Sequence, residues 1–335
     1  MKSVSLLAAA LLIAGAANAQ TPTNQFTNVP RQPQAPAAQS GPNIAPVTAV
    51  PGHFDPSYTG YSQDSYIEQT GTSNYSKVDQ TDGRTGNLAI GSGSSAVVSQ
   101  TGSKNNAYQN QTLDAGSNAV AGRNLLRSTQ AGTSSQSNQT QTGGSFNTAE
   151  VNQFAPSDQN RAIQTQTNGR NNGAVINQAT ASYIGAPTTN HNTAKQTQEG
   201  GSGNSIRIDQ QGRNSYAEQN QTMAYDNDAF IGQGAPGANN TAIQNQAGSA
   251  NKARIVQSVG GQFANNNYAL QNQKGMGDQA LIDQESAGNF ARQDQAGMGP
   301  YEVQNNNSKI SQSNVSSAAY TLQTGNMNTA TVVQH

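Results

Sequence analysis

The side chains of this chain that could perform catalysis are few and widely spaced. Its histidines, His53, His191 and His335, form no cluster with metal-ligand spacing. His191 together with Ser182 or Asp209 could be written as a catalytic pair, but a polar loop residue is the simpler interpretation. The sequence also lacks a zinc spacing, a P-loop and a nucleophile elbow, so we expect neither enzymatic activity nor a cofactor.

Two other patterns match ligand sites formally but have simpler explanations. The segment GQGAPG at 232–237 satisfies G-x-G-x-x-G, yet it joins two repeat strands and has no helix to present a phosphate site. Four aspartates recur at the sixth position of the phrase described next, Asp79, Asp209, Asp283 and Asp294. They would form outward-facing stripes, for which a solvated face is a simpler interpretation than a cation site.

The residues that do recur at a fixed spacing are carboxamides. A seven-residue phrase, N-x-A-x-x-x-Q with some substitutions, can be placed about twenty times beyond residue 60, and its final Gln residues mostly lie 11–13 positions apart. The residues that we expect to build a repeated core are Asn105, Ala107, Gln111, Asn147, Gln153, Asn240, Gln246, Asn251, Ile255, Gln257, Gln271, Gln273, Ile282, Gln284, Asn289, Gln295, Asn328, Val332 and Gln334.

The connectors between phrases carry turn signals. In the shorter ones a Gly lies two residues after the Gln, as at Gly71, Gly102, Gly248 and Gly325. Gly supplies the positive φ that a tight turn needs. Seven residues between turns is the length of a strand and not of a helix. Each phrase is therefore predicted to form one β-strand.

The fifth position of the phrase separates the strands into two classes. From Gln139 to Gln293 this position alternates between an aliphatic residue and Gln without exception. A single sheet of equivalent strands gives no reason for such alternation, whereas two strands per turn of a coil do. We therefore predict an all-β fold over residues 61–335: a two-sheet β-solenoid with an aliphatic column in one sheet and a Gln column in the other.

The strand period predicts which residues face inward. Positions one, three, five and seven share one face, and the charged and aromatic residues fall on the other. Stacked at about 4.8 Å, Gln lies over Gln and Asn over Asn, so the buried amides can bond to one another. The residues expected to face outward are Lys77, Asp79, Arg207, Asp209, Tyr216, Glu218, Phe230, Arg254, Phe290, Arg292 and Asp294.

Composition and the N-terminal segments limit the remaining choices. The chain has 335 residues, of which 33% are hydrophobic and 10% charged, which is too little apolar area for a conventional core. The net charge of −1 gives no electrostatic case for nucleic acid or an anionic membrane, and no segment is suited to span a membrane. Residues 1–19 match a secretory signal, and the Pro/Gln/Ala-rich residues 20–60 are predicted to be disordered.

The extended phrase Q-x-G-x-x-N-x-A-x-x-x-Q resembles the curlin repeat of curli-type functional amyloid subunits. It occurs at Gln100, Gly102, Asn105, Ala107 and Gln111, and in further copies at residues 69–80, 246–257 and 323–334. The resemblance implies a β-solenoid whose Asn and Gln ladders carry polymerisation into extracellular cross-β fibres of the biofilm matrix. It also implies a Gram-negative cell surface, an outer-membrane curli secretion pore and a curlin nucleator as partners. The Pro-rich segment and the extended connectors depart from the family pattern.

Three functions are consistent with these features. The first is a secreted structural subunit that polymerises with itself into fibres for adhesion and cell aggregation. The second is a minor nucleating or surface-anchoring subunit, although the last repeat lacks the extra basic residues that such subunits typically carry. The third is a monomeric β-solenoid adhesin or ice-binding protein; Thr129, Thr140, Thr165 and Thr197 share the sixth position, but Asn and Asp interrupt the series.

Overall fold

The computed structural model describes residues 64–82, 94–113, 124–154, 159–178, 191–234, 237–257, 265–297 and 305–335. The expected signal segment (1–19) and Pro-rich segment (20–60) lie outside these residues. So do most of the loops that the sequence suggests near 81–95, 112–126, 179–191 and 298–306.

The described residues form twenty-one β-strands and no helix. The strands are β1 (Asp64–Thr72), β2 (Tyr75–Asp82), β3 (Ser95–Ser103), β4 (Asn106–Leu113), β5 (Leu125–Thr133), β6 (Gln136–Thr142), β7 (Thr148–Gln153), β8 (Arg161–Thr167), β9 (Gly173–Gln178), β10 (Thr193–Glu199), β11 (Ser205–Gln210), β12 (Tyr216–Tyr225), β13 (Asp228–Gln233), β14 (Thr241–Ser249), β15 (Lys252–Gln257), β16 (Tyr268–Met276), β17 (Gln279–Gln284), β18 (Phe290–Ala296), β19 (Asn307–Gln312), β20 (Ala318–Thr324) and β21 (Thr329–Gln334).

The strands alternate between two parallel sheets. The odd-numbered strands form an eleven-stranded sheet, which we call the odd sheet, and the even-numbered strands form a ten-stranded sheet, the even sheet. Within each sheet every strand pairs with the strand two places along the chain, so the chain crosses from one sheet to the other at every connector. The predicted two-sheet β-solenoid is confirmed, with Ile255 in the odd sheet and Gln271 in the even sheet.

In each sheet, equivalent positions of the phrase lie side by side in neighbouring strands, and this fixes the register. The seventh-position Gln of each strand lies beside the seventh-position Gln of its neighbour, as for Gln246 and Gln273. Along most strands buried inward positions alternate with half-buried or exposed outward positions. A slip of one residue would turn the charged outward residues into the interior, which opposes any other register.

The interior is built from two facing pairs of columns. The fifth-position aliphatics of the odd sheet, such as Ile176 and Ile231, pack with the third-position alanines of the even sheet, such as Ala162 and Ala217. The fifth-position glutamines of the even sheet lie instead against the third-position residues of the odd sheet; Gln139 Nε2, for example, donates to the backbone carbonyl of Ala149 at 3.0 Å. The small Ala side chains allow the two sheets to approach closely.

Where a fifth-position residue is changed, its partner across the sheets changes with it. Ser128 replaces an aliphatic in β5 and hydrogen-bonds Ser137 of β6 at 2.8 Å, while Leu126 fills the neighbouring third position. Near the other end, the hydroxyls of Ser308 and Thr321 lie 2.7 Å apart. Each buried hydroxyl in these pairs thus has a partner, so the substitution does not leave an unpaired polar group in the interior.

The glycines of the connectors have the expected backbone conformation. Gly71, Gly102, Gly248 and Gly325 have φ of 112°, 111°, 103° and 94°. A Cβ atom added at Gly102 would lie 2.1 Å from the carbonyl oxygen of Gly132 in the next turn of the solenoid. At Gly71, Gly102 and Gly248, therefore, both the positive φ and the close stacking of neighbouring connectors favour Gly, whereas at Gly325 only the positive φ does.

A second recurring conformation of the connectors is not expected from the sequence. The residue directly before the first position of the phrase also has positive φ, and it is often not Gly; examples are Ser73, Lys104, Phe146, Ala250 and Met327, with φ between 54° and 58°. This conformation turns the backbone so that the following Asn side chain points into the solenoid.

Candidate functional site: carboxamide ladders along the solenoid

The seventh-position glutamines form one continuous ladder in each sheet. In the odd sheet the amide Nε2 of each Gln donates to Oε1 of the next, from Gln69 to Gln334, over distances of 2.6–3.0 Å. In the even sheet the corresponding ladder runs from Gln80 to Gln323 over 2.6–3.1 Å. Both ladders extend from the first strand of the sheet to the last.

A third ladder occupies the fifth position of the even sheet. It runs from Gln109 to Gln293, with Nε2 to Oε1 distances of 2.7–3.0 Å. It stops short of both ends of the sheet, because Val78 and Thr321 take the fifth position of β2 and β20. Consistent with that stop, Oε1 of Gln109 is buried without a hydrogen-bond partner.

The same glutamines also join the two sheets. Besides its ladder bond, Gln219 Nε2 donates to the backbone carbonyl of Arg207 in the odd sheet at 3.0 Å. In the other direction, Gln233 of the odd sheet donates to the carbonyls of Tyr216 and Asn240, both at 3.0 Å. Because the amide nitrogen bonds both along and across the solenoid, burial does not leave it unsatisfied.

The first-position asparagines line the two edges of the solenoid interior. The side-chain Oδ1 of Asn147 accepts the backbone N–H of Asn172 at 3.1 Å, and its Nδ2 donates to the carbonyl of Gly169 at 2.9 Å. The same bond from a backbone N–H recurs from one turn to the next, for example between Asn251 and Asn227 and between Asn328 and Asn306. Each Asn thus fastens a connector to the connector beside it.

The structure places the sequence-predicted residues as follows. Most are buried, and those in the last strand are half-buried. The seventh-position ladders contain Gln111, Gln246, Gln273 and Gln295 in the even sheet and Gln153, Gln257, Gln284 and Gln334 in the odd sheet. Gln271 belongs to the fifth-position ladder, Ile255, Ile282 and Val332 belong to the aliphatic column, and Ala107 is a third-position residue. The first-position residues, each directly before a strand, are Asn105, Asn147, Asn240, Asn251, Asn289 and Asn328.

One first-position residue is an acid, and the sequence pattern does not distinguish it from its Asn neighbours. Asp278 is fully buried; its Oδ1 accepts the backbone N–H of Asn306 at 3.1 Å, but its Oδ2 has no partner. At the same place Asn251 uses its Nδ2 to donate to the carbonyls of Ala247 and Gly275. Burial raises the pKa of Asp278 to about 6, against the lowering effect of the hydrogen bond from Asn306.

All ladders have the same polarity. Along both seventh-position ladders and the fifth-position ladder, the donor nitrogen belongs to the earlier strand and the acceptor oxygen to the later one. The amide oxygens therefore face the β1–β2 end of the solenoid, and the amide nitrogens face the β20–β21 end.

The outward faces carry short charge networks. Asp79 pairs with Lys77, Asp209 with Arg207 and Asp294 with Arg292, over 2.7–2.8 Å. The expected Asp stripes are divided, because Asp79 and Asp294 belong to the even sheet while Asp209 and Asp283 belong to the odd sheet. Within the described ranges no group of three or more acidic or His side chains is suited to hold a metal ion.

The other sequence candidates are likewise dispersed. His191 lies in a connector with φ of 46°, and Ser182 is outside the described residues. The Gly-rich segment starts inside β13. Thr140, Thr165 and Thr197 are adjacent in the even sheet, but Thr129 belongs to the odd sheet, so the four do not form one array.

No protein-family model matches the chain, and no curated protein matches it significantly. In the part of the chain that the structure describes, no helix has the length and apolar character needed to cross a membrane.

Proposed function

We propose that this chain is a secreted structural subunit that polymerises end to end into extracellular amyloid fibres of the curli type. The observation that carries the proposal is the pair of seventh-position Gln ladders, which run through every strand of both sheets with one polarity. Amide oxygens face the β1–β2 end of each ladder and amide nitrogens face the β20–β21 end, so the two ends are complementary as donor and acceptor between copies.

The backbone supports the same interpretation. Among the described strands, β1 pairs only with β3, and β21 only with β19. The outer edges of the end strands therefore present backbone N–H and C=O groups to a further strand. Strands stacked about 4.8 Å apart in two facing sheets constitute a cross-β arrangement within one molecule, and adding copies lengthens it without a change of geometry.

The remaining parts of the proposal come from the sequence. The N-terminal signal and the curlin-like repeats favour export to the cell surface of a Gram-negative bacterium, through a secretion pore of the curli kind and with a curlin nucleator as partner. Fibres there would serve adhesion and cell aggregation in the biofilm matrix. The interior is filled by amide ladders, an aliphatic column and small side chains, so the described residues favour a structural role over catalysis.

The test is assembly of the purified chain. We expect thioflavin fluorescence to rise with time and the product to diffract at about 4.8 Å and about 10 Å. A chain that stays monomeric at high concentration over days contradicts the proposal and favours a monomeric adhesin. If the chain assembles only slowly by itself but shortens the lag phase of a curlin at substoichiometric amounts, it is instead a nucleating subunit.

A further inference from the structure

The two ends of the solenoid do not match in the simplest stacking of copies. Both β1 and β21 belong to the odd sheet, which has eleven strands against ten in the even sheet. If the next copy had the same orientation, its β1 would pair with β21. One strand level is the spacing of neighbouring strands in a sheet, about 4.8 Å. The β2 strand of this next copy would then lie two levels beyond β20, so one level of the even sheet would be left without a strand.

The levels follow from the cross-sheet hydrogen bonds. Gln139 of β6 donates to the carbonyl of Arg127 in β5 at 2.9 Å and to that of Ala149 in β7 at 3.0 Å. Gln153 of β7 bonds in the same way to Gln136 of β6 and to Asn160 just before β8. Each strand thus lies midway in height between the preceding and the following strand, so β21 extends half a turn beyond β20.

We propose that successive copies join with a half turn about the fibre axis, so that β1 of one copy pairs with β20 of the copy before it and β2 pairs with β21. This inference rests on the proposed polymerisation. The chain crosses between the sheets at every connector, so the two sheets run in opposite directions. A half turn exchanges the sheets and restores a common strand direction, and no level is left empty.

The fifth-position residues at the ends fit this joint. Val78 is the one aliphatic residue at the fifth position of the even sheet's described strands, and Thr321 is the one hydroxyl. After a half turn Val78 lies over Val332 and extends the aliphatic column of the previous copy. Ile67, which is 44% exposed, is covered by Thr321. A Gln at position 78 would instead face an aliphatic neighbour with no partner for its amide.

The connectors at the two ends also correspond. Gly325 and Gly71 both lie two residues after a ladder Gln, and Asn328 and Asn74 both lie five residues after it. A Cβ added at Gly71 would be 1.9 Å from a carbonyl of the next turn, whereas at Gly325 the nearest atom is 3.8 Å away. After a half turn the connector of Gly71 follows that of Gly325. The ladders then continue from Gln323 and Gln334 with unchanged polarity.

Cysteine cross-linking in assembled fibres tests the joint, because the chain has no native Cys. Adjacent in-register strands bring equivalent Cα atoms to about 4.8 Å, within disulfide range, whereas a two-level separation of about 9.6 Å is not. The half turn predicts covalent multimers from Glu68→Cys with Leu322→Cys and from Asp79→Cys with Val333→Cys, all at the outward sixth position.

Two other pairings would overturn the inference. Multimers from Glu68→Cys with Val333→Cys indicate copies in the same orientation, and multimers from Asp79→Cys with Leu322→Cys indicate that β1 is displaced and β2 pairs with β20. The pair Ser99→Cys with Thr129→Cys, neighbours within one molecule, calibrates the oxidation.

Electron microscopy of unmodified fibres gives an independent readout. The half turn predicts a rise of about 50 Å per subunit with a rotation near 180° between subunits. A rise of about 53 Å without that rotation refutes it. If no fibres form at all, the proposed function itself fails, which is a different result from fibres with another cross-linking pattern.

Discussion

Replacing Asp278 by Asn should stabilise the protein at neutral pH and remove a pH dependence. In an unfolded chain this carboxyl titrates near 3.8, whereas burial raises its pKa to about 6 in the folded protein. A separation of about two pKa units corresponds to about 3 kcal/mol of unfolding free energy. The substituted Asn also regains an Nδ2 that can donate to the neighbouring connector, as Asn251 does.

The direction in which the free energy of unfolding changes with pH follows from the protons that the folded and unfolded states bind. Below about pH 3.8 the carboxyl is protonated in both states, and its stabilising contribution is fully present. As the pH rises towards 6 the folded state holds more protons than the unfolded state, so the free energy of unfolding falls. Above about pH 6 the loss is complete. In the D278N variant this decrease is absent, and the advantage of the variant grows with pH up to about 6.

The assay is guanidinium unfolding followed by circular dichroism from about pH 3 to about pH 7, at protein concentrations too low for assembly. Asp226→Asn is the matched control, because Asp226 is an exposed connector residue. Taking differences between variant and unmodified chain at each pH cancels the titration of the carboxylates they share. Titration of the buried Asp278 is contradicted if D278N and the unmodified chain differ by the same amount at both ends of that pH range, or if D226N gives the same profile.

Further substitutions test the interior and the connectors. Gln219→Ala interrupts the fifth-position ladder and should lower the unfolding free energy by about 2–4 kcal/mol. The control Asn220→Ala, on the outward face, should lower it by less than about 1 kcal/mol. Equal losses of the two variants in denaturant unfolding would contradict a structural role of the ladder. Ile231→Ala should cost about 2–5 kcal/mol in the same assay, and a loss below about 1 would mean that the aliphatic column is not a packed core. Gly102→Ala should lower the melting temperature of the isolated chain more than Gly325→Ala, because only Gly102→Ala adds a clash to the strain of a positive φ. Gly325→Ala should instead slow fibre elongation, because the connector of the next copy is proposed to stack on this residue. Elongation at the normal rate would contradict that stacking.

The sequence predicts the fold well because its two periods are independent and agree. The strand period of two separates inward from outward residues, and the alternation of Gln with Val or Ile at position five separates one sheet from the other. Together they place residues as far apart as Ile255 and Gln271 in their correct sheets before any coordinate is known.

Other features depend on relations that the periods do not contain. Because the strands of the two sheets run in opposite directions, position five of one sheet lies opposite position three of the other, so the Gln column faces the Ala column of the odd sheet rather than the aliphatic column. The positive φ before each Asn leaves little trace in composition, because residues as different as Lys104 and Phe146 adopt it. The phrase treats Asp278 as equivalent to Asn, and only its complete burial shows the difference. Grouping Thr129 with threonines of the other sheet is wrong because the alternation of sheets applies to position six as well.

The odd number of described strands has a consequence for how such a chain can change in length. Every strand contacts chiefly the strands two places away, so gaining or losing a pair of phrases leaves both termini of the stack unaltered. Gain or loss of a single phrase would put the first and last strands in different sheets and, in the proposed fibre, force neighbouring subunits into a new mutual orientation. If the proposed fibres form, duplication in steps of two phrases is therefore the change of length that leaves the joint between copies unaltered.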